Sequence, residues 1–131
     1  MESYRKFEAG PDPFGRVWHA EFQWLQTAIS IRHSDSVDVK FVVWTHGGAN
    51  GSDAEPKQER VIALMLPDLL WVTNEVGHAL TDPFCGKLAA RHLTKMIDTF
   101  EDMDKTLAIV SRAEMLAYAQ AITQAPSVVY S

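Results

Sequence analysis

Ile29-Ser30-Ile31-Arg32-His33-Ser34-Asp35-Ser36-Val37-Asp38-Val39-Lys40-Phe41-Val42-Val43 holds two alternating runs on either side of a Ser/Asp-rich turn. Ile29 and Ile31 lead in, and Val37, Val39, Phe41 and Val43 follow with Asp38 and Lys40 between them. A period of two marks a half-buried strand, and two such runs joined by a short polar turn read as a β-hairpin. The apolar set is expected to share one buried face, because a slip of one residue would expose all of it.

Upstream, Trp18, Ala20, Phe22 and Trp24 alternate with Val17, His19, Glu21 and Gln23. The phase then slips, since Leu25, Ile29 and Ile31 are apolar on odd positions. No turn residue lies between Trp24 and Ala28, so a bulge within one long strand accounts for the slip. Trp18, Phe22, Leu25 and Ile29 also fit helical spacing, but the aromatic and β-branched content favours a strand. Trp18 and Trp24 would then share a face and both could enter the core. Residues 1–15 end in Gly10-Pro11-Asp12-Pro13-Phe14-Gly15, which predicts an extended arm or turn without regular structure.

Downstream, the second strand ends near Trp44-Thr45, and the composition of His46-Gly47-Gly48-Ala49-Asn50-Gly51-Ser52-Asp53 predicts a flexible loop over 46–58. Arg60 to Leu66 reads as an interior strand. A helix from Pro67-Asp68 to about Leu80 would align Leu69, Val72, Val76 and Leu80. Pro83 blocks its continuation and opens a second helix, with Thr81 or Asp82 as cap and Pro83 at the first position. Cys85, Leu88, Ala89, His92, Leu93, Met96, Phe100 and Met103 form its apolar stripe. Thr106 to Val110 reads as a buried strand. Ser111-Arg112-Ala113-Glu114 is a capping box that opens a last helix, which Pro126 stops.

Strands precede helices in this order. The expected fold is therefore one α+β domain over residues 1–131: an antiparallel-dominated sheet of about four to five strands, with about three helices, mostly C-terminal, on one face. The strand-helix-helix-strand segment should be a right-handed crossover.

The chain has 131 residues, a hydrophobic share of 47%, a charged share of 22% and a formal net charge of -5. A domain of this size needs no disulfide or metal to hold it. The dispersed basic residues and the acidic balance argue against nucleic acid as a partner. The longest apolar run, Val61 to Leu66, is far short of a membrane span, and Met-Glu-Ser-Tyr-Arg-Lys lacks the apolar core of a signal peptide. The single cysteine excludes an internal disulfide and fits a reducing, cytoplasmic setting. Walker, G-x-G-x-x-G and paired C-x-x-C patterns are absent.

Potentially reactive residues gather only in Glu75-Val76-Gly77-His78-Ala79-Leu80-Thr81-Asp82-Pro83-Phe84-Cys85-Gly86, followed by His92. In the first turn of a helix the free N–H groups and the dipole favour a thiolate at Cys85, with His78 or His92 as proton acceptor. Packing among Leu88, Ala89 and Met96 would instead keep the thiol protonated, and these neighbours favour that outcome. Glu75 and His78 have the spacing of a carboxylate-histidine ligand pair, to which Asp82, Cys85 and His92 could add; His46 could approach from the sheet. The pattern is short and lacks the H-E-x-x-H form, so no metal site is assigned.

Trp44 is out of phase with Val39, Phe41 and Val43. With Val42 it would place an apolar patch on the outer sheet face, a partner or ligand site if uncovered. Two readings follow. One is a binding and interaction module that dimerises through its sheet, with room for a small-molecule ligand. The other is a small enzyme using Cys85 with His78 or His92, metal-assisted or not.

Overall fold

The computed structural model describes residues 4–28, 35–45 and 57–124. Among the described residues the fold is α+β: a five-stranded, mostly antiparallel sheet and three helices, all of them after the fourth strand. The strands are β1 (Lys6–Ala9), β2 (Trp18–Ala28), β3 (Ser36–Thr45), β4 (Gln58–Met65) and β5 (Leu107–Ile109). The helices are α1 (Leu66–Val76), α2 (Asp82–Thr99) and α3 (Arg112–Gln124). Strand order follows the chain, β1-β2-β3-β4-β5, and only β5 joins in parallel, against β4. The β4-α1-α2-β5 segment joins two adjacent parallel strands and is thus a crossover connection.

β2 and β3 pair antiparallel, with Phe22 opposite Phe41 and Leu25 opposite Val39. Val37, Val39, Phe41 and Val43 are all buried, whereas Asp38, Lys40, Val42 and Trp44 alternate with them on the other face. Ile29 and Ile31 lie outside the described residues. The register shifts between Phe22 and Trp24, which is where the sequence phase slips. That shift corrects the expectation for Trp24. Leu25 takes the inward phase, and Trp24 pairs with Lys40 on the outer face, 36% exposed, with the Lys40 ammonium 5.6 Å from its ring.

The first fifteen residues need a second correction. Lys6–Ala9 form β1, an edge strand in register with Glu21 to Trp18. Phe7 and Ala9 face the core while Lys6 and Glu8 face out, an alternation too short to stand out in the sequence. The Pro/Gly stretch that follows is a turn built around one buried carboxylate. Asp12 accepts hydrogen bonds from the Phe14 and Arg16 backbone N–H groups, from Arg16 Nε and from Trp18 Nε1, all at 2.9–3.0 Å. Residues 46–56 of the expected loop lie outside the described residues, and β4 already begins at Gln58.

α1 is shorter than expected. Gly77 adopts a left-handed conformation (φ 68°) and its N–H donates to the Thr73 carbonyl, a glycine stop that satisfies the helix's last carbonyls. Leu69 and Val72 are buried as anticipated, but Leu80 lies beyond the helix and is 39% exposed. Thr81 caps α2 by accepting from the Phe84 N–H at 3.2 Å; Pro83 takes the second helical position behind Asp82. At the other end Phe100 ends the helix at φ 60°, unusual for a residue with a Cβ. Its ring is gripped by Phe14 (5.4 Å, edge-on), Trp18 (6.4 Å) and the Arg16 guanidinium (5.2 Å). The capping box forms in full: the Glu114 N–H donates to Ser111 Oγ (3.1 Å) and the Ser111 N–H to Glu114 Oε1 (3.0 Å).

One hydrophobic core joins the inward strand residues to Leu69 and Val72 of α1, to Phe84, Leu88, Leu93, Met96 and Ile97 of α2, and to Met115 and Ala119 of α3. Arg60 is an exception on the inward phase of β4. It is buried at 6% exposure, where its guanidinium donates to the carbonyls of Glu59 and Met103 and to Gln58 Oε1. Burial lowers its pKa, opposed by Asp104 nearby. No helix among the described residues is long and apolar enough to cross a membrane.

Candidate functional site

The start of α2 places Cys85 inward. Its side chain is 3% exposed and belongs to the core with Leu88, Ala89 and Met96. Burial pushes the thiol up to about 12, and the Asp82 carboxylate adds to that; a backbone hydrogen bond opposes both without prevailing. The dipole of the first turn is thus outweighed by desolvation, and the group is a protonated thiol at neutral pH. The expected behaviour is that iodoacetamide leaves Cys85 unmodified in the native protein and labels it once denaturant is added. Fast native labelling that rises with pH around neutrality would contradict the burial.

The histidines go elsewhere. His78 follows the Gly77 stop, is exposed, and stacks on Phe84 (4.1 Å, 16° between planes) with Nδ1 2.6 Å from the Ala79 carbonyl. His92 is 5% exposed, and its Nδ1 lies 2.8 Å from the Tyr118 hydroxyl. Burial lowers its pKa, with Glu114, Asp102 and Glu101 opposing and Lys95 reinforcing, so the ring is neutral at pH 7. Cys85 and His92 are two helical turns apart, about 10.5 Å of rise, too far for direct proton exchange. Glu75 and Asp82 are exposed. Trp44 lies on the outer sheet face, stacked on His19 (5.5 Å, 18°) with the Lys57 ammonium 4.6 Å from its ring. His46 lies outside the described residues. Among the described residues, no three His, Cys, Asp or Glu side chains are grouped to hold a metal ion.

The structure instead opens a cleft that the sequence reading missed. A cavity of about 370 Å³ lies between β1, α2 and α3. Tyr4, Phe7, Ala90 and Tyr118 give it an apolar wall; Lys87, Arg91, Lys95 and Asp98 line the α2 side. The sequence did hold a signal. Lys87, Arg91 and Lys95 recur every four residues, which puts three cations on one face of a helix. The aromatic partners come from distant parts of the chain and left no such trace. Gly86 marks the same place: a Cβ there would stand 2.4 Å from the Tyr4 ring, so only glycine lets the ring lie on the helix.

The cleft's far end is braced by Lys95 and Glu114, whose Nζ and Oε2 are 2.5 Å apart. Burial would raise the Glu114 carboxyl, but hydrogen bonds from Lys95 and Ser111 and the nearby His92 hold it down at about 2. A folded pKa below the ordinary glutamate value of 4.5 means that its stabilisation is complete above that value and lost as pH falls through about 2. Glu114→Gln should therefore flatten the acid limb of the melting-temperature profile between those values, and an unchanged limb would contradict the assignment.

Comparison with family models, curated proteins and solved structures finds no match to this chain.

Proposed function

We propose that this chain is a binding and interaction module that forms a homodimer through the outer face of its sheet. The observation that supports this reading most is that all three helices join the core on the inner face, which leaves the outer face bare of them. On β5, Leu107 is 51% and Ile109 61% exposed, beside Val61 and Ala63 of β4. Trp24, 36% exposed, and the half-buried Val42 and Trp44 add apolar side chains to the same face on β2 and β3, with Lys40, Asp38, Glu21 and Glu59 between them. Exposed apolar side chains on a sheet face that no helix covers support reading that face as a partner surface.

A second copy fits this face by charge and by area. Lys6, Glu8, Glu21, Asp38, Lys40 and Glu59 place both signs among the apolar residues. A two-fold contact can then set unlike charges against each other. Five strands about 4.8 Å apart, of three to eleven residues and about seven on average at ~3.3 Å each, span roughly 600 Å² in plan. That is commensurate with the about 800 Å² of accessible surface per partner in a stable dimer. The sequence has a single cysteine and so no internal disulfide, which supports a cytoplasmic setting as part of this reading.

The alternative of a small enzyme built on Cys85 gains no support from these positions, since the thiol is dry and both histidines are engaged elsewhere. Leu107→Glu combined with Ile109→Glu tests the face. Both side chains are largely solvent-exposed, so the variant should melt within a few degrees of wild type while sedimenting as a monomer. A folded variant that keeps the dimer mass would place the interface elsewhere.

A further inference from the structure

We infer that the cleft between β1, α2 and α3 is a binding site for a small organic anion with a flat apolar body, whose oxyanion group is held by Lys87 and Arg91. The cleft opens on the helix side of the molecule, away from the sheet face proposed for self-association, so the two readings stand or fall separately. Its volume of about 370 Å³ lies within the range of small-molecule sites.

Charge decides which end of the ligand goes where. Three cations of α2 line the cleft, yet Lys95 is taken by Glu114. Lys87 and Arg91 make no ion pair among the described residues, although the whole chain carries a net charge of -5. Among the described residues Asp98 is the one carboxylate in the lining, and it lies two helical turns beyond Arg91, about 10.5 Å along the axis. Among the described residues the Lys87–Arg91 end is therefore uncompensated and positive. A guanidinium and an ammonium one turn apart suit a carboxylate, sulfonate or phosphate oxyanion: the first by a two-pronged hydrogen bond, the second as a point charge.

The opposite wall is apolar and held rigid. Tyr4 lies flat enough on Gly86 to exclude a Cβ and meets Phe22 edge-on at 5.4 Å. The Tyr118 hydroxyl is fixed by His92, and burial, with the Glu114 charge, pushes it up to about 12, so it stays a neutral hydrogen-bonding group. His92 thereby acts as a positioning residue for this wall. Aromatic rings already ordered in the free protein lose little freedom on binding a flat ligand. Ala90 lines the cleft from α2 beside the cations, and its small side chain leaves space that a ring system would fill.

The test uses 1-anilinonaphthalene-8-sulfonate and its uncharged analogue N-phenyl-1-naphthylamine as fluorescent probes of the native protein. The sulfonate should bind saturably at one site, about tenfold more tightly than the neutral probe at low salt, with the preference shrinking as salt is raised. Arg91→Gln and Lys87→Gln should each erode that preference without weakening the neutral probe. Ala90→Trp should remove both probes from a protein with unchanged circular dichroism. Because Arg91 is exposed, Arg91→Gln leaves folding intact and decides the question even if Ala90→Trp does not fold. Equal affinity for the two probes, or sulfonate binding indifferent to Arg91 and Lys87, would overturn the proposal. Binding that is lost only in Leu107→Glu/Ile109→Glu would assign the probe to the sheet face and equally overturn it.

Discussion

Phe41→Ala is expected to cost about 3–5 kcal/mol of unfolding free energy. Phe41 has no exposed surface and sits at the centre of the sheet, opposite Phe22 on β2 and Arg60 on β4. Its ring meets Phe7 at 5.9 Å and Phe22 at 6.1 Å, both edge-on. Those neighbours stand on paired strands that cannot close around the space a truncated side chain leaves, so the cavity cost adds to the lost burial. A domain of this size is stable by only about 5–15 kcal/mol, so the loss is a large fraction of the whole. Val42→Ala, one residue away on the other face and half-buried, should cost far less. Urea titration of both variants checks the contrast; a loss below about 1 kcal/mol for Phe41→Ala would contradict the assignment of the inward face.

Asp12→Ala is the second large effect. The Asp12 side chain is fully buried while Arg16 is 46% exposed, so the ion pair itself is screened and contributes little. The weight lies with the buried Trp18 Nε1 and with two part-buried backbone N–H donors. Removing the carboxylate strands Trp18 Nε1 and the Phe14 and Arg16 N–H groups, at about 1–3 kcal/mol for each that water does not reach. A total near 3 kcal/mol is expected, and the turn that carries Phe14 against Phe100 should loosen with it. Burial alone would raise the Asp12 pKa, but the hydrogen bonds from Trp18, Arg16 and Phe14 prevail and hold it below the ordinary aspartate value of 3.8. The sign follows: this stabilisation is complete above that value and disappears as pH falls below it. Asp12→Asn should therefore narrow the stability gap to wild type in acid. A gap independent of pH would show that the carboxylate is not ionised in the fold.

The parts of this fold that the sequence made legible are those with a local signal. The period of two in Val37–Val43, the phase slip resolved at Phe22/Trp24, the Thr81 cap and the Ser111–Glu114 box each rest on residues close together in the chain. Gly77 was legible in principle, but the apolar spacing that runs on to Leu80 masked a helix stop. Asp12 opens an Asx turn through its bond to the Phe14 N–H, a signal hidden by the prolines around it. The cleft was out of reach for a different reason: its wall joins Tyr4 to Tyr118, and only the folded chain brings them together. The Cys85 cluster shows the converse. Proximity in sequence put thiol, imidazole and carboxylate in one run, and the helix then turned Cys85 inward, His78 onto Phe84 and His92 toward Tyr118.

Self-association through the open sheet face is the central claim, and sedimentation equilibrium of the wild-type chain at micromolar concentration tests it most directly. The account predicts a mass that rises with concentration toward twice the 14.7 kDa of one chain. A single species of 14.7 kDa at every concentration would contradict it.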